Sequence, residues 1–275
     1  MSYRVIALDL DGTLLDPQKQ ILPQSLAAIN QARRQGIKVI IATGRHHVAI
    51  HPFYQALNLD TPAICCNGTY LYDYHAKKVL ESDPLSAAEA TKVVAYLQGT
   101  DINHLMYVDD AMLYQQHNDA IERTLKWADS LPENQRPNIH KIDNFNTAIQ
   151  QVTAIWKFAT CTPDIETLRT FSQTIQQELE LACEWSWFDQ VDIAKKGNNK
   201  GLRLQRWVES QGLTMKDVIA FGDNFNDVSM LTASGLGVAM GNSCDEVKKH
   251  ADIITDQNSV PGIAQVIEKY VLKRL

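Results

Sequence analysis

The chain has 275 residues, a formal net charge of −6 and 45% hydrophobic residues, enough for one large domain or two ordinary ones with a sizeable core. The acidic balance excludes a protein that coats nucleic acid through a basic face, although a local field inside a cleft can still attract a small anion. No apolar run reaches about 18 residues, so no transmembrane span is expected. "MSYRVIALDLDG" does not read as a signal peptide, so the cytoplasm is the expected compartment.

In chain order, "RVIALD" (4–9) reads as a buried strand running into two carboxylates, Asp9 and Asp11, with Gly12 and Thr13 directly after. Side chains two apart on a strand share a face. Two carboxylates held close repel unless a cation or a shared proton intervenes; the plain alternative is a strand ending in an acidic turn. "PQSLAAINQARRQG" then reads as a helix with the stripe Leu26, Ala27, Ile29 and Ala32, closed by Gly36. "KVIIAT" (38–43) is a second strand, leading into Thr43, Gly44 and Arg45. In "GRHHVAIH", His47 and His51 stand four apart, the spacing of a helical metal pair. No third ligand accompanies them, so core or surface histidines are expected, with a substrate contact by His46 or His47 the alternative. "PAICC" (62–66) is a third strand, and Asn67-Gly68 after it signals a turn whose asparagine can also line a pocket.

From about Pro84 to Gln190 the texture changes. Helical stretches at 86–98 and about 164–180 stand among the strand-like pieces "HLMYVDD", "IWKFATC" and "LACEWSWFD". Trp185 and Trp187 read as core packing on one strand face, with stacking on a flat substrate ring the alternative. The "YVDD" segment reads as a solvated hairpin end. Beyond this region Lys200 opens a helix, and "DVIAFGD" (217–223) is a strand followed by Asn224, Asn226 and Asp227. "GLGVAM", "ADIIT" and a closing helix over 260–273 complete the chain. Cys65, Cys66, Cys161, Cys183 and Cys244 form no Cys-x-x-Cys pair and are odd in number, so reduced thiols are expected.

Continuous apolar strands alternating with amphipathic helices indicate a parallel sheet covered on both faces. The expected fold is therefore α/β: a Rossmann-like parallel-sheet core over 1–83 and 191–275, with an α+β domain inserted over 84–190. Ligands of such a sheet sit outside the carboxyl ends of its strands. Asp9, Asp11, Thr43, Lys200, Asp223 and Asp227 are all delivered there, a coincidence four independent polar turns would have to repeat.

"DLDGTLL", "ATGR", the lysine before "GLRL" and "FGDNFND", in this order, resemble the haloacid-dehalogenase-like phosphatase superfamily. The insertion between the second and third motifs resembles its Cof-type subgroup. This resemblance implies a Mg2+-dependent phosphatase with an inserted cap. Asp9 would be the nucleophile that forms an aspartyl-phosphate and Asp11 the general acid and base. Mg2+ takes hard oxygen ligands, here the carboxylates of Asp9 and Asp223 and the backbone carbonyl of Asp11. Leu10, Thr43, Gly44, Lys200 and Asn226 would bind phosphate, with Asp227 and Arg45 in support and His46 and Asn67 as possible substrate contacts.

Within the subgroup, "TGRHHVAIHPFYQAL", "TPAICCNGTYLYDYHAK" and "CEWSWFDQVDIA" resemble bacterial pyridoxal phosphate phosphatases, which implies pyridoxal 5′-phosphate as substrate. The rival readings are a broad sugar phosphatase, a phosphotransferase or mutase, and a phospho-ligand binder without catalysis. The Asp9–Asp11 pair speaks against the last. The implied partner is a small phosphate monoester, with neither nucleic acid nor membrane involved.

Overall fold

The computed structural model describes residues 3–272. Two compact units emerge. One is built from the chain up to Gly44, Phe53–Glu81 and the chain from Asn199 onward; the other from Arg45–Pro52 and Ser82–Asn198.

The first unit opens with β1 (Val5–Leu8), buried at every residue, as befits an interior strand of a parallel sheet. Helix α1 (Pro23–Arg34) begins on a proline, whose fixed φ and missing N–H suit a first turn. Its buried stripe is Ser25, Ala28, Ile29 and Ala32, a strict i, i+3, i+4, i+7 series. The expected Leu26 and Ala27 lie off that line, half-buried and exposed. Strand β2 (Lys38–Ile41) runs parallel to β1, and α2 (His51–Ala56) follows. Strand β3 (Ala63–Cys65) meets the parallel sheet at a parallel bridge between Ala42 and Ile64, where the Thr43 N–H donates to the Ile64 carbonyl at 2.9 Å. It belongs instead to a small separate sheet with β4 (Tyr70–Asp73), its antiparallel partner, and β5 (Lys78–Ser82).

The second unit begins with α3 (Ala87–Leu97), started by a reciprocal capping box between Ser86 and Glu89. Then come β6 (Asn103–Val108), β7 (Ala111–Tyr114), α4 (Asp119–Asp129), β8 (Asn138–Lys141), α5 (Phe145–Ile149), β9 (Ile155–Cys161), α6 (Ile165–Leu179), β10 (Ala182–Trp187) and β11 (Gln190–Ala194). The strands form one sheet in the order β10-β11-β9-β6-β7-β8, antiparallel except at β7–β8. Val93 and Leu97 of α3 and Leu168 and Phe171 of α6 share a core with Met106, Phe158 and Ile193 of the sheet. This is the α+β texture read from the sequence, with α4 and α5 added. Because β11 pairs with both β10 and β9, the unit runs on to Asn198 rather than ending near 190, and it also recruits Arg45–Pro52.

The chain returns to the first unit with α7 (Lys200–Ser210), capped by the Asn199 side chain, which accepts the Leu202 N–H at 2.8 Å. β12 (Val218–Gly222), α8 (Val228–Ala233), β13 (Leu236–Ala239), α9 (Asp245–Lys248), β14 (Ile253–Ile254) and α10 (Gly262–Tyr270) complete it. The parallel sheet has the order β14-β13-β12-β1-β2, with Val5 level with both Val218 and Lys38. Leu204, Trp207 and Val208 of α7 pack with Val5, Ala7, Ile40 and Ala220. Strand order runs outward in both directions from β1, so the winding reverses beside β1 and β12, where such folds bind ligands. Among the described residues no helix is long and apolar enough to cross a membrane.

Candidate active site

Asp9 follows directly on β1, its N–H donating to the Phe221 carbonyl of β12 at 3.1 Å, and its residue is 5% exposed. Lys200, the first residue of α7, reaches it from the side. The Lys200 Nζ donates to Asp9 Oδ1 at 2.7 Å and to Asp227 Oδ1 at 2.6 Å. Asp227 is fully committed, because its Oδ2 accepts the N–H groups of Asp223 (2.9 Å) and Asn224 (3.0 Å). That pair of bonds fixes the turn after β12 and so aims Asp223. The Thr13 hydroxyl donates to Asp223 Oδ1 at 2.8 Å, tying the β1 loop to the β12 loop. Gly12 makes this approach possible: its φ is +80°, and a Cβ there would stand 2.3 Å from Asp223 Oδ2.

The electrostatics follow from the burial. One carboxylate oxygen from each of Asp9, Asp223 and Asp227 lies within 4.8 Å of the others, against the single ammonium of Lys200. Burial first, then the charge of Asp227, push the Asp9 carboxyl up to about 7, against the pull of Lys200. Burial, then Asp9 and Asp227, hold Asp223 well above the ordinary carboxylate range. Burial works against the Lys200 charge, but Asp227 and Asp9 outweigh it, so its ammonium is held more firmly than usual. Formally, three carboxylates against one lysine leave a buried excess of negative charge. Hard oxygen donors with excess negative charge suit a small divalent cation. Since Asp227 spends both oxygens on Lys200 and the backbone, Asp9 and Asp223 are the carboxylates fitted to hold one.

Asp11 is not part of this cluster. β1 ends at Leu8, so the rule that alternate strand residues share a face does not extend to Asp9 and Asp11. The Asp11 carboxylate pairs with Lys19 Nζ at 2.7 Å and its side chain is 30% exposed. Its charge is the weakest of the influences on Asp9. The crowding suggested by the sequence is real, but the crowded partners of Asp9 are Asp223 and Asp227.

A second group of residues borders this edge. Thr43 is 1% exposed and its carbonyl accepts the Asn67 N–H at 3.0 Å. Asn226 Nδ2 donates to Asn67 Oδ1 at 3.0 Å, and a Cβ on Gly44 would come within 2.9 Å of that same oxygen. Asn67 is therefore both a turn residue and part of the lining. It and Cys66 take left-handed backbone, φ +55° and +48°, a strained pair of the kind that clusters at functional sites. Arg203 secures the turn from one helical turn beyond Lys200, donating to the carbonyls of Gly68 (2.9 Å) and Thr69 (3.2 Å). Sequence reading missed Arg203, and it placed Thr13 at the strand end without giving it a role. The available signal for Arg203 was its i+3 spacing from Lys200 on one helix face.

A family description of haloacid dehalogenase-like hydrolases matches residues 6–267. The chain belongs to this family. It is 56% identical over 272 residues to "Pyridoxal phosphate phosphatase YbhA" of Escherichia coli (strain K12), covering 99% of this chain and 100% of that one. It is 30% identical over 279 residues to "5-amino-6-(5-phospho-D-ribitylamino)uracil phosphatase YcsE" of Bacillus subtilis (strain 168), covering 99% and 97%. Among solved structures, a haloacid dehalogenase-like hydrolase from Bacteroides thetaiotaomicron superposes with a TM-score of 0.84 at 26% identity, covering 98% and 99%.

The remaining candidates of this haloacid dehalogenase-like chain fall differently. Leu10 is fully buried, and its carbonyl holds the loop by accepting the N–H groups of Thr13 and Leu15. Arg45 and His46 belong to the second unit. The Arg45 guanidinium lies 5.2 Å from the Trp127 ring centroid. His46 is fully buried; its Nδ1 accepts the Val48 N–H and its Nε2 donates to the Val108 carbonyl at 2.7 Å. Burial, then His47, keep its ring well below the ordinary histidine range. Both ring nitrogens therefore serve the packing of the second unit. His47 is buried as well, and the cation-suited cluster found among the described residues is the aspartate triad alone. Trp185 packs on the second unit's core, while Trp187 is 49% exposed across a register shift in β10.

Proposed function

We propose that this protein is a magnesium-dependent phosphatase of small phosphate monoesters, and that pyridoxal 5′-phosphate is a substrate. The observation that carries the reading is Asp9, a buried carboxylate at a strand end, held by Lys200 and facing Asp223 across a region of excess negative charge. The whole-length 56% identity to a protein named for pyridoxal phosphate supports the choice of substrate.

In this reading the Asp9 carboxylate attacks phosphorus, a phosphorus–oxygen bond to the leaving alcohol breaks, and Asp11 gives that oxygen a proton. Water then attacks the aspartyl-phosphate, Asp11 takes its proton, and phosphate departs with Asp9 restored. The partly exposed Asp11 stands outside the carboxylate cluster, open to solvent. Lys200, Thr43, Gly44, Asn226 and the Leu10 backbone would bind the phosphate oxygens. A divalent cation, held by Asp9, Asp223 and the Asp11 carbonyl, would offset the charge that phosphate adds. The second unit, Ser82–Asn198 with Arg45–Pro52, is proposed to select the leaving group. Five free cysteines support a reducing compartment, and we assign the enzyme to the cytoplasm.

The test is phosphate release from pyridoxal 5′-phosphate, ribose 5-phosphate and glucose 6-phosphate. Activity should vanish with EDTA, return with Mg2+ and return poorly with Ca2+, which prefers more ligands and longer bonds. The largest kcat/KM should belong to pyridoxal 5′-phosphate. Release in chelated, metal-free protein refutes the metal assignment, and a higher kcat/KM for either sugar phosphate refutes the substrate.

A further inference from the structure

A cavity of about 310 Å³ lies within the second unit, where the chain leaves α3, enters β6 and starts α4 and α5. Its size is that of a small-molecule site. Seven of its fifteen lining residues are asparagine or glutamine, and neither lysine nor arginine lines it. Its floor includes Leu97, Ile102 and Phe145, all buried.

Part of this amide set forms a rigid frame. Asn118 Oδ1 accepts the Ile121 N–H at 3.0 Å and Asn144 Oδ1 accepts the Thr147 N–H at 3.2 Å, so these two residues start α4 and α5. Asn118 Nδ2 also donates to Asn103 Oδ1 at 2.8 Å. His104 adds a defined acceptor. Its Nδ1 lies 2.9 Å from the Ile102 carbonyl, and a carbonyl only accepts, so Nδ1 carries the proton and Nε2 presents a lone pair. The ring packs 5.0 Å from Phe145. Burial lowers its pKa, so the ring is neutral at physiological pH.

The chemistry of the lining decides what it can hold. Hydroxyl groups both donate and accept, and carboxamides match them on both counts. A phosphate or carboxylate would find no counter-charge here. We propose that this cavity binds a small, uncharged, hydroxyl-rich ligand of monosaccharide or alditol size, separately from the carboxylate site of the first unit. Asn103, Asn146, Gln116 and the His104 lone pair make the polar contacts, and the apolar floor takes the carbon-bound hydrogens.

The experiment follows the His104 ring signals of histidine-labelled protein by NMR while ribose, glucose and ribitol are added, with His104→Phe giving the assignment. At least one of the three should shift His104 saturably. Asn146→Leu and Gln116→Leu, both at exposed positions, should each weaken that binding about five-fold, the loss of roughly one hydrogen bond, and leave phosphate release unchanged. Glucose 6-sulfate, an anion the phosphatase does not hydrolyse, should bind worse than glucose. Absence of a saturable His104 shift with all three ligands overturns the proposal. So does unchanged affinity in both leucine variants, or tighter binding of the sulfate.

Discussion

The two units each bury a lysine, and the difference between the two sites is one of charge balance. Lys157, 2% exposed, meets Asp192, equally buried, at 2.7 Å and lies 4.7 Å from the Tyr107 ring centroid. Lys200, fully buried, meets Asp9 and Asp227, with Asp223 completing a carboxylate triad. Withdrawing a charge from water costs several kcal/mol, so a structural pair settles into neutrality, as Lys157–Asp192 does. An uncompensated excess is retained where a ligand completes it. Imbalance, more than burial, marks the site.

The sharpest way to separate the two regions is to neutralise the nucleophile. Asp9→Asn should lose turnover to background without loss of melting temperature, since it relieves like-charge crowding; a folded variant with wild-type turnover would remove Asp9 from the mechanism. Asp11→Asn should lower kcat on the order of 10²–10⁴-fold. A loss below about two-fold with an alkyl phosphate would reject Asp11 as the proton carrier.

Charge balance itself can be broken in the second unit. Lys157→Met should cost about 3–5 kcal/mol in denaturant unfolding, because it strands Asp192, while Lys157→Met with Asp192→Leu should recover most of that loss. The matching pair at the site, Lys200→Met with Asp227→Leu, should stay inactive whatever its stability. Equal stabilities of the single and double Lys157 variants would show that the pair does not act as a neutral unit.

The smallest effect concerns pH. Burial, then His51, lower the His47 ring to about 4, and His46 is lowered too. These two rings then bind fewer protons in the native state than in the unfolded chain below about 6.5. Their contribution to stability is complete above that value and should decline as the pH falls through 6.5 towards 4, whereas Asp9, raised to about 7, contributes in the opposite sense. His47→Gln should flatten part of this slope in denaturant titrations; an unchanged slope would acquit the histidine.

The strand-end position of Asp9, the helix-start position of Lys200 and the Asp223–Asp227 spacing were legible because each rests on local pattern plus the parallel-sheet rule. The crowding of Asp11 against Asp9 was misread because β1 ends at Leu8 and the Asp11 carboxylate turns to Lys19, whose left-handed turn no periodicity announces. The α1 stripe slipped because Ser25, a polar residue, takes a buried position. Helix α4 was missed because only Ile121 and Ala128 are buried along it, too few to write a stripe, although Asn118 before it and Asp119 and Glu122 in its first turn were usable start signals. The recruitment of Arg45–Pro52 by the second unit depends on tertiary contacts such as His46 to Val108, which leave no trace in the neighbouring sequence.

That recruitment bears on modularity. The polypeptide passes between the units four times, after Gly44, Pro52, Glu81 and Asn198, where a simple insertion would require two crossings. Excising 84–190 and splicing the ends would strip His46 of its Val108 acceptor and Arg45 of the Trp127 face. An engineer grafting this unit onto another scaffold must carry the Arg45–Pro52 octapeptide with it, and natural exchange of such units would have to replace both pieces together.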